Sequence, residues 1–156
     1  MRGVKVQKCR RGAGPGSTAA FEWGEAAKPL NLLLVEDNGA VGRAIAKSLR
    51  TQGHTVTLVS NYAEARATSG YFDVGVLDIT LPDGDGIELC EQLLKARRIG
   101  GALFCSGSID DLLLERAQET APVISKEASF WELCDAIAAA APKGSRPPGT
   151  SPPPKP

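Results

Sequence analysis

Short apolar runs alternate along this chain with longer stretches in which apolar residues recur every three or four positions. An apolar run bounded by turn residues predicts a buried strand, and the three-to-four spacing predicts an amphipathic helix. The pattern therefore predicts five strands, each followed by a helix. The strands are 30–35, 55–59, 74–77, 102–105 and 123–125, and the helices are 39–52, 61–69, 87–97, 109–120 and 129–140.

The alternation of strands and helices predicts the fold class. Five βα units with short loops are typical of an α/β domain with a doubly wound parallel sheet, and right-handed crossovers place helices on both of its faces. Apolar and polar residues alternate within 55–59, which favours an edge position for that strand. The inward face of the first helix is expected to consist of Val41, Ala44, Ile45, Ser48 and Leu49.

Charge and composition divide the chain into a body and two tails. Residues 1–28, rich in Gly, Arg and Ala, and residues 142–156, rich in Pro, lack apolar periodicity and are expected to be disordered. These tails carry net charges of +4 and +3, whereas residues 29–141 contain 9 basic and 16 acidic side chains. The predicted domain, 29–141, is therefore acidic, which argues against nucleic acid as its main ligand.

The sequence favours neither a membrane protein nor a protein with a metal site built from cysteines. No apolar stretch approaches the roughly 18 residues that span a bilayer, and the basic N-terminus lacks the apolar core of a signal peptide. Cys9, Cys90, Cys105 and Cys134 lie far apart beside one histidine, His54, which fits neither a zinc site nor a disulfide framework. Reduced, mostly buried thiols and a cytoplasmic location are therefore expected.

Acidic residues directly follow two of the predicted strands. Glu36 and Asp37 come after the first strand, and Asp78 comes after the third. Because the carboxyl ends of parallel strands meet at one edge of the sheet, these three carboxylates are expected to converge. They repel one another unless a cation compensates them, and Mg²⁺ prefers oxygen ligands. The sequence thus predicts a magnesium site built around a reactive aspartate.

Two further polar residues follow strands, Ser106 after the fourth and Lys126 after the fifth. Taken singly, each of these groups has an ordinary explanation: an acidic pair or a serine can cap a helix, Asp78 can form a turn, and a lone lysine is usually solvated. Taken together, four loops deliver complementary groups to one edge of the sheet. The meeting of groups from four strand ends favours a single functional site.

The complete set of motifs resembles the receiver domain of response regulators in two-component signalling. The likeness covers about residues 30–140, an extent similar to that of the single-domain chemotaxis regulator. It implies a flavodoxin-like (βα)5 fold with strand order 2-1-3-4-5. The motifs are Leu-Leu-Val-Glu-Asp-Asn at 33–38, Leu-Asp-Ile-Thr-Leu-Pro-Asp-Gly-Asp-Gly at 77–86, Phe-Cys-Ser-Gly at 104–107 and Ile-Ser-Lys at 124–126.

The resemblance also implies a function. Such a domain accepts a phosphoryl group from a histidine kinase or a histidine phosphotransfer protein in a Mg²⁺-dependent phosphorelay, and it catalyses only its own phosphorylation and dephosphorylation. The chain is expected to be a stand-alone switch without an effector domain, which either binds a downstream protein directly or passes the phosphoryl group onward in a relay. The implied site consists of the phosphoacceptor Asp78, the magnesium ligands Glu36, Asp37, Asp78 and the Thr80 backbone carbonyl, and the supporting switch residues Ser106 and Lys126.

Two positions depart from the family pattern, and two other functions stay open. Glu127 follows the lysine where the family usually has proline, and Val123 replaces a frequent aromatic residue. One alternative is a degenerate receiver that only binds proteins. Another is a haloacid-dehalogenase-like phosphohydrolase, although such enzymes need a second aspartate where this chain has Thr80.

Overall fold

The computed structural model describes residues 28–107 and 110–142. Five parallel strands form one sheet in the order β2-β1-β3-β4-β5, as the sequence predicted. The strands are β1 (Asn31–Val35), β2 (Thr55–Val59), β3 (Phe72–Leu77), β4 (Ile99–Ser106) and β5 (Val123–Ser125). The helices are α1 (Gly39–Thr51), α2 (Tyr62–Ala67), α3 (Gly86–Lys95), α4 (Asp111–Thr120) and α5 (Phe130–Ala140).

The helices cover both faces of the sheet, which confirms the predicted layering. Side chains alternate along each strand, so Leu32 and Leu34 of β1 enter one apolar cluster while Leu33 and Val35 enter the other. Helices α1 and α5 complete the first cluster, and α2, α3 and α4 complete the second. The helical members include Ala46, Leu49, Leu133 and Ile137 on the first face, and Ala65, Ile87, Leu93 and Ala117 on the second.

The inward face of α1 differs from the predicted one. Its buried residues are Gly42, Ala46 and Leu49, whereas Val41 and Ala44 are exposed. The reason is close packing at Gly42, where an added Cβ would lie 3.0 Å from Cδ1 of Leu58 on β2. A glycine contributes nothing to an apolar pattern. The face predicted from the periodicity of the sequence is therefore shifted by about one position from the buried face.

Strands β3 and β4 are longer than the apolar runs that predicted them. β3 begins at Phe72 and includes the buried Asp73, whose Oδ2 accepts the backbone N–H of Asn31 at 2.8 Å. That hydrogen bond compensates the burial of the carboxylate. A charged residue interrupts an apolar run, and the predicted strand therefore started too late.

A short antiparallel hairpin lies between β3 and α3 and pairs Thr80–Leu81 with Gly84–Asp85. The chain then turns back under the hairpin so tightly that a Cβ at Gly86 would lie 2.0 Å from the carbonyl oxygen of Asp78. Only glycine fits there. The hairpin was absent from the prediction, because its four residues carry no strand pattern.

Each helix begins close to the carboxyl edge of the sheet with a polar side chain that caps it. The cap accepts a backbone N–H from the first helical turn, which satisfies a donor that has no partner within the helix. Helix α2 is capped by Asn61, whose Oδ1 accepts the backbone N–H of Glu64 at 2.8 Å. The capping residues are Asn38, Asn61, Asp85, Asp110 and Ser129.

Cys90 and Cys105 are buried and Cys134 is half-buried, and none of these three cysteines forms a disulfide. Burial raises the pKa of Cys90 to about 12 and that of Cys105 to about 11, so both remain protonated at neutral pH. None of the helices in 28–107 and 110–142 is long and apolar enough to cross a membrane. The predicted tails, apart from residues 28 and 142, and Cys9 lie outside the described residues, and the cytoplasmic location stays a prediction.

Candidate functional site

Three carboxylates gather where β1 and β3 end. Each of Glu36, Asp37 and Asp78 offers an oxygen, and these oxygens all lie within 4.8 Å of one another. The sheet itself brings them together, because the Asp78 N–H donates to the carbonyl of Val35 at 3.0 Å and so extends the β1–β3 pairing by one residue. The predicted convergence of the three acids is therefore present in the structure.

The three carboxylates differ in their surroundings. Glu36 is 3% exposed and Asp78 is 7% exposed, whereas Asp37 lies open to solvent. Oδ1 of Asp78 accepts the backbone N–H of Thr80 at 3.3 Å. Among residues 28–107 and 110–142, no donor is hydrogen-bonded to the carboxylate of Asp37.

The ammonium group of Lys126 lies between the two buried carboxylates. Its Nζ is 2.9 Å from Oε1 of Glu36 and 3.0 Å from Oδ2 of Asp78. Burial lowers the pKa of Lys126, but its hydrogen bonds to the two carboxylates outweigh that effect and the pKa is raised overall. The lysine is therefore a cation at neutral pH. Its pairing with Glu36 was not predicted from the sequence.

Ser106 is joined to this cluster through the backbone of Lys126, whose N–H donates to the Ser106 carbonyl at 2.8 Å. The serine is the last residue of β4 and is 4% exposed. No described residue is hydrogen-bonded to its hydroxyl group. Thr80 lies beside Asp78 on the hairpin, and the role of its carbonyl stays a prediction.

The charge of the cluster suits a hydrated divalent cation. Three carboxylates and one ammonium leave an excess of two negative charges within a small volume. Such an excess is unfavourable at a partly buried site unless a counter-ion compensates it. The oxygen-only donor set, with Asp37 open to water, fits a hard cation that keeps part of its hydration shell.

The rim of the site contains contacts that sequence reasoning missed. The hairpin residue Asp83 accepts the N–H groups of Tyr62 at 2.7 Å and of Ala63 at 3.1 Å, and so caps α2 from outside the helix. The hydrogen bond from Tyr62 lowers the pKa of Asp83. A Cβ at Gly84 would lie 2.5 Å from Cδ2 of Tyr62, so that ring packs directly on the hairpin.

On its other side the hairpin is tied to α4. Asp85 Oδ2 lies 2.9 Å from Nη1 of Arg116, while Asp85 Oδ1 caps α3 by accepting the N–H of Ile87 at 2.8 Å. The segment that follows Asp78 is therefore attached to the starts of α2 and α3 and to α4. In the sequence, only the local Asp-Gly-Asp-Gly motif at 83–86 indicates this arrangement.

Glu127, the residue after the lysine, makes a local hydrogen bond. The Glu127 N–H donates to Oγ of Ser125 at 2.9 Å, an interaction that a proline at 127 cannot make. The described residues contain no cis peptide bond. The departure at 127 thus coincides with a hydrogen-bonded turn that fixes the backbone around Lys126.

Comparison with known proteins yields a consistent set of similarities. The family model for the response regulator receiver domain matches residues 32–138. The transcriptional regulatory protein TcrA of Mycobacterium tuberculosis is 36% identical over 90 residues, which cover 56% of this chain and 34% of TcrA. The swarming motility regulation protein RssB of Serratia marcescens is 43% identical over 61 residues, covering 38% of this chain and 28% of RssB.

A solved structure agrees with these sequence matches. The non-phosphorylated HemR receiver domain from Leptospira biflexa superposes with a TM-score of 0.65 at 28% identity, covering 77% of this chain and 98% of that one. The chain spans about a third or less of the length of TcrA and RssB, 34% and 28% respectively.

Proposed function

The chain belongs to the response regulator receiver domain family, and on that basis we propose that Asp78 accepts a phosphoryl group from a histidine kinase or a histidine phosphotransfer protein. One observation carries the assignment. The carboxylate of Asp78 shares a cluster with Glu36 and Asp37 and lies 3.0 Å from the ammonium of Lys126, at the carboxyl edge of the sheet.

The proposed cofactor is Mg²⁺, held by oxygens of Asp37, Asp78 and the Thr80 carbonyl, with Glu36 nearby. When bound, the ion neutralises the charge of the acids and of the incoming phosphoryl group. The support is the excess negative charge of the cluster and its oxygen-only donor set. The solvent-exposed Asp37 gives the ion a path of access.

In the proposed reaction, an oxygen of Asp78 forms a bond to phosphorus while the N–P bond of phosphohistidine breaks. The imidazole leaves with the electron pair and takes up one proton from solvent. Lys126 offers a positive charge on a flexible stem that can follow a phosphoryl oxygen, and the Ser106 hydroxyl can donate one hydrogen bond to it. The result is an acyl phosphate on a signalling domain rather than a released product.

Signalling would follow from the same two residues. Ser106 ends β4 and Lys126 follows β5, so new bonds to a phosphoryl group would draw in the loops that lead to α4 and α5. The proposed output is a change in the surface formed by α4, β5 and α5, which a downstream protein then binds. Alternatively, the phosphoryl group passes to the next phosphotransfer protein of a relay.

The test is phosphorylation of the purified chain by acetyl phosphate with Mg²⁺. We expect one phosphoryl group per molecule, stable to neither acid nor hydroxylamine as is typical of an acyl phosphate, and no incorporation after removal of Mg²⁺ by chelation. The measurement is intact mass together with phosphate-affinity electrophoresis.

The matched control is Asp78→Asn, which keeps the size of the side chain and removes the nucleophilic carboxylate. Incorporation by this variant contradicts the assignment of Asp78. Absence of incorporation in the unmodified chain, with purified histidine phosphotransfer proteins as well as acetyl phosphate, favours the degenerate protein-binding receiver instead.

A further inference from the structure

The carboxylate of Glu36 is almost completely engaged by protein donors. Its Oε1 lies 2.9 Å from Nζ of Lys126, and its Oε2 accepts from the same ammonium at 3.1 Å and from the Asn38 N–H at 3.0 Å. An ionised carboxylate has about four lone-pair sites, and three are used by these contacts. The side chain is 3% exposed, so water cannot replace these donors freely.

Glu36 is also the more rigid of the two ion-pair partners. Its N–H donates to the Val59 carbonyl at 3.0 Å, which ties its backbone to β2. Its Cβ and Cγ pack against Gly42, where an added Cβ would lie 3.4 Å from both atoms. The side chain of Lys126 is a flexible stem that stays 28% exposed. The side chain of Glu36 therefore has more contacts outside this pair than the side chain of Lys126.

The neighbouring acid shows the opposite situation. The carboxylate of Asp37 is exposed, and no donor in residues 28–107 and 110–142 is hydrogen-bonded to it. Asp78 shares only one oxygen with the lysine, since Oδ2 contacts Nζ and Oδ1 contacts the Thr80 N–H. Asp37 and Asp78 thus have lone-pair sites left for a metal, and Glu36 has the fewest.

We propose that Glu36 is a positioning residue for Lys126, and that its main task is to hold the ammonium beside Asp78 rather than to bind the metal. This proposal rests on the proposed phosphoacceptor function and refines it. The pre-placed ammonium meets the phosphoryl oxygens as the O–P bond forms, at no cost in ordering the lysine at that moment. The metal is then held chiefly by Asp37 and Asp78.

The test separates metal binding from the reaction itself. Initial rates of phosphorylation by acetyl phosphate, measured across Mg²⁺ concentrations at one pH, give a half-saturating Mg²⁺ concentration and a rate at saturation. For Glu36→Gln we expect the saturated rate to fall by about tenfold while half-saturation moves by less than about threefold. For Asp37→Asn we expect half-saturation to rise by at least about tenfold.

Calorimetric titration of the unphosphorylated proteins with Mg²⁺ gives a second, non-kinetic readout. We expect the affinity of Glu36→Gln to stay within about threefold of the unmodified chain, and that of Asp37→Asn to fall by about tenfold or more. An equal loss of affinity in both variants makes Glu36 a metal ligand and overturns the proposal.

A double variant tests the link to the lysine. If Glu36 acts through Lys126, the Glu36→Gln/Lys126→Gln pair should react at the rate of Lys126→Gln alone, within about twofold. If the two substitutions instead reduce the rate by factors that multiply in the double variant, the proposal is overturned. Glu36→Asp, which keeps the charge but shortens the reach by one methylene, provides a second variant in case Glu36→Gln is unstable, and its saturated rate should also fall.

These outcomes are distinguishable from failure of the proposed function. If the unmodified chain takes no phosphoryl group from any donor, the phosphoacceptor assignment fails. If the unmodified chain reacts but Glu36→Gln alters only the dependence on Mg²⁺, the positioning role alone fails. Circular dichroism and thermal unfolding of every variant establish that the comparison is between folded proteins.

Discussion

At the scale of single residues, the ion pairs of Lys126 link the candidate site to the stability of the fold. Its pKa is raised by Glu36 and Asp78 more than burial lowers it. A raised pKa in the folded state means that the lysine stabilises the fold fully below its unfolded pKa, near 10.5, and that this contribution is lost as the pH rises through the folded value. The contribution is therefore constant across neutral pH.

His54 is expected to make stability depend on pH in the neutral range. Its Nδ1 accepts the N–H of Leu30 at 3.1 Å, and burial lowers its pKa from 6.5. Below pH 6.5 the unfolded chain binds a proton that the folded state resists, so stability is lost as the pH falls towards the folded value. In urea unfolding, we expect a loss of at most about 1.4 kcal/mol per pH unit between about pH 7.5 and about 5.5.

The control is His54→Gln, which can still accept a hydrogen bond but does not titrate. Its free energy of unfolding should change less over the same pH interval than that of the unmodified chain. Identical slopes in the two proteins contradict the role of His54. The lysine discussed above does not interfere, because its stabilising charge is lost only near pH 10.5 and above.

At the scale of elements, the end of α3 contains a strained backbone position. Arg97 has φ 59°, and the hydrogen bonds from Arg97 N to Leu94 O at 3.0 Å and from Arg98 N to Leu93 O at 2.9 Å close the helix around it. A left-handed conformation is unfavourable for residues with a Cβ. We expect Arg97→Gly to raise the free energy of unfolding by about 0.5–1 kcal/mol in urea titration.

Two glycines in the same conformation provide the reverse experiment. Gly53 and Gly70 have φ values of 102° and 92°, and an added Cβ at either position meets nothing within 4 Å. Gly53→Ala and Gly70→Ala should therefore each lower stability by about 1 kcal/mol through the backbone alone. Stabilisation by either alanine contradicts this account of Arg97.

The elements themselves were largely predictable, since each apolar run and each helical period is a local signal. The errors arose where burial does not follow apolarity: Gly42 is a buried position without a side chain, and Asp73 is a buried carboxylate. The convergence of the acids followed from the parallel sheet. The bond between Glu36 and Lys126 could not be predicted, because it joins side chains 90 positions apart and depends on rotamers.

At the scale of the whole molecule, the sheet joins two apolar clusters, and the site lies on the strands that both clusters share. A single domain built in this way is expected to unfold as one unit. A ligand that binds only the folded site then stabilises the entire domain. The occupancy of the candidate metal site and the stability of the core are thus thermodynamically coupled.

We therefore expect Mg²⁺ to raise the Tm of the unphosphorylated chain. At a concentration about a hundredfold above Kd, the gain is about 2.7 kcal/mol. Thermal unfolding followed by circular dichroism measures the shift, with Asp37→Asn as the control that should lose most of it. An unchanged shift in this variant contradicts the role of Asp37 in holding the ion.

The tight packing at Gly86 limits which mutations the gene can tolerate. The carbonyl oxygens of Asp78 and Ile79 occupy the space of any Cβ at this position, at 2.0 and 2.7 Å. Every missense codon at 86 therefore pushes on the very peptide unit that carries the proposed phosphoacceptor. Amino-acid changes at this residue are therefore expected to abolish signalling, even though they alter no charged group of the site.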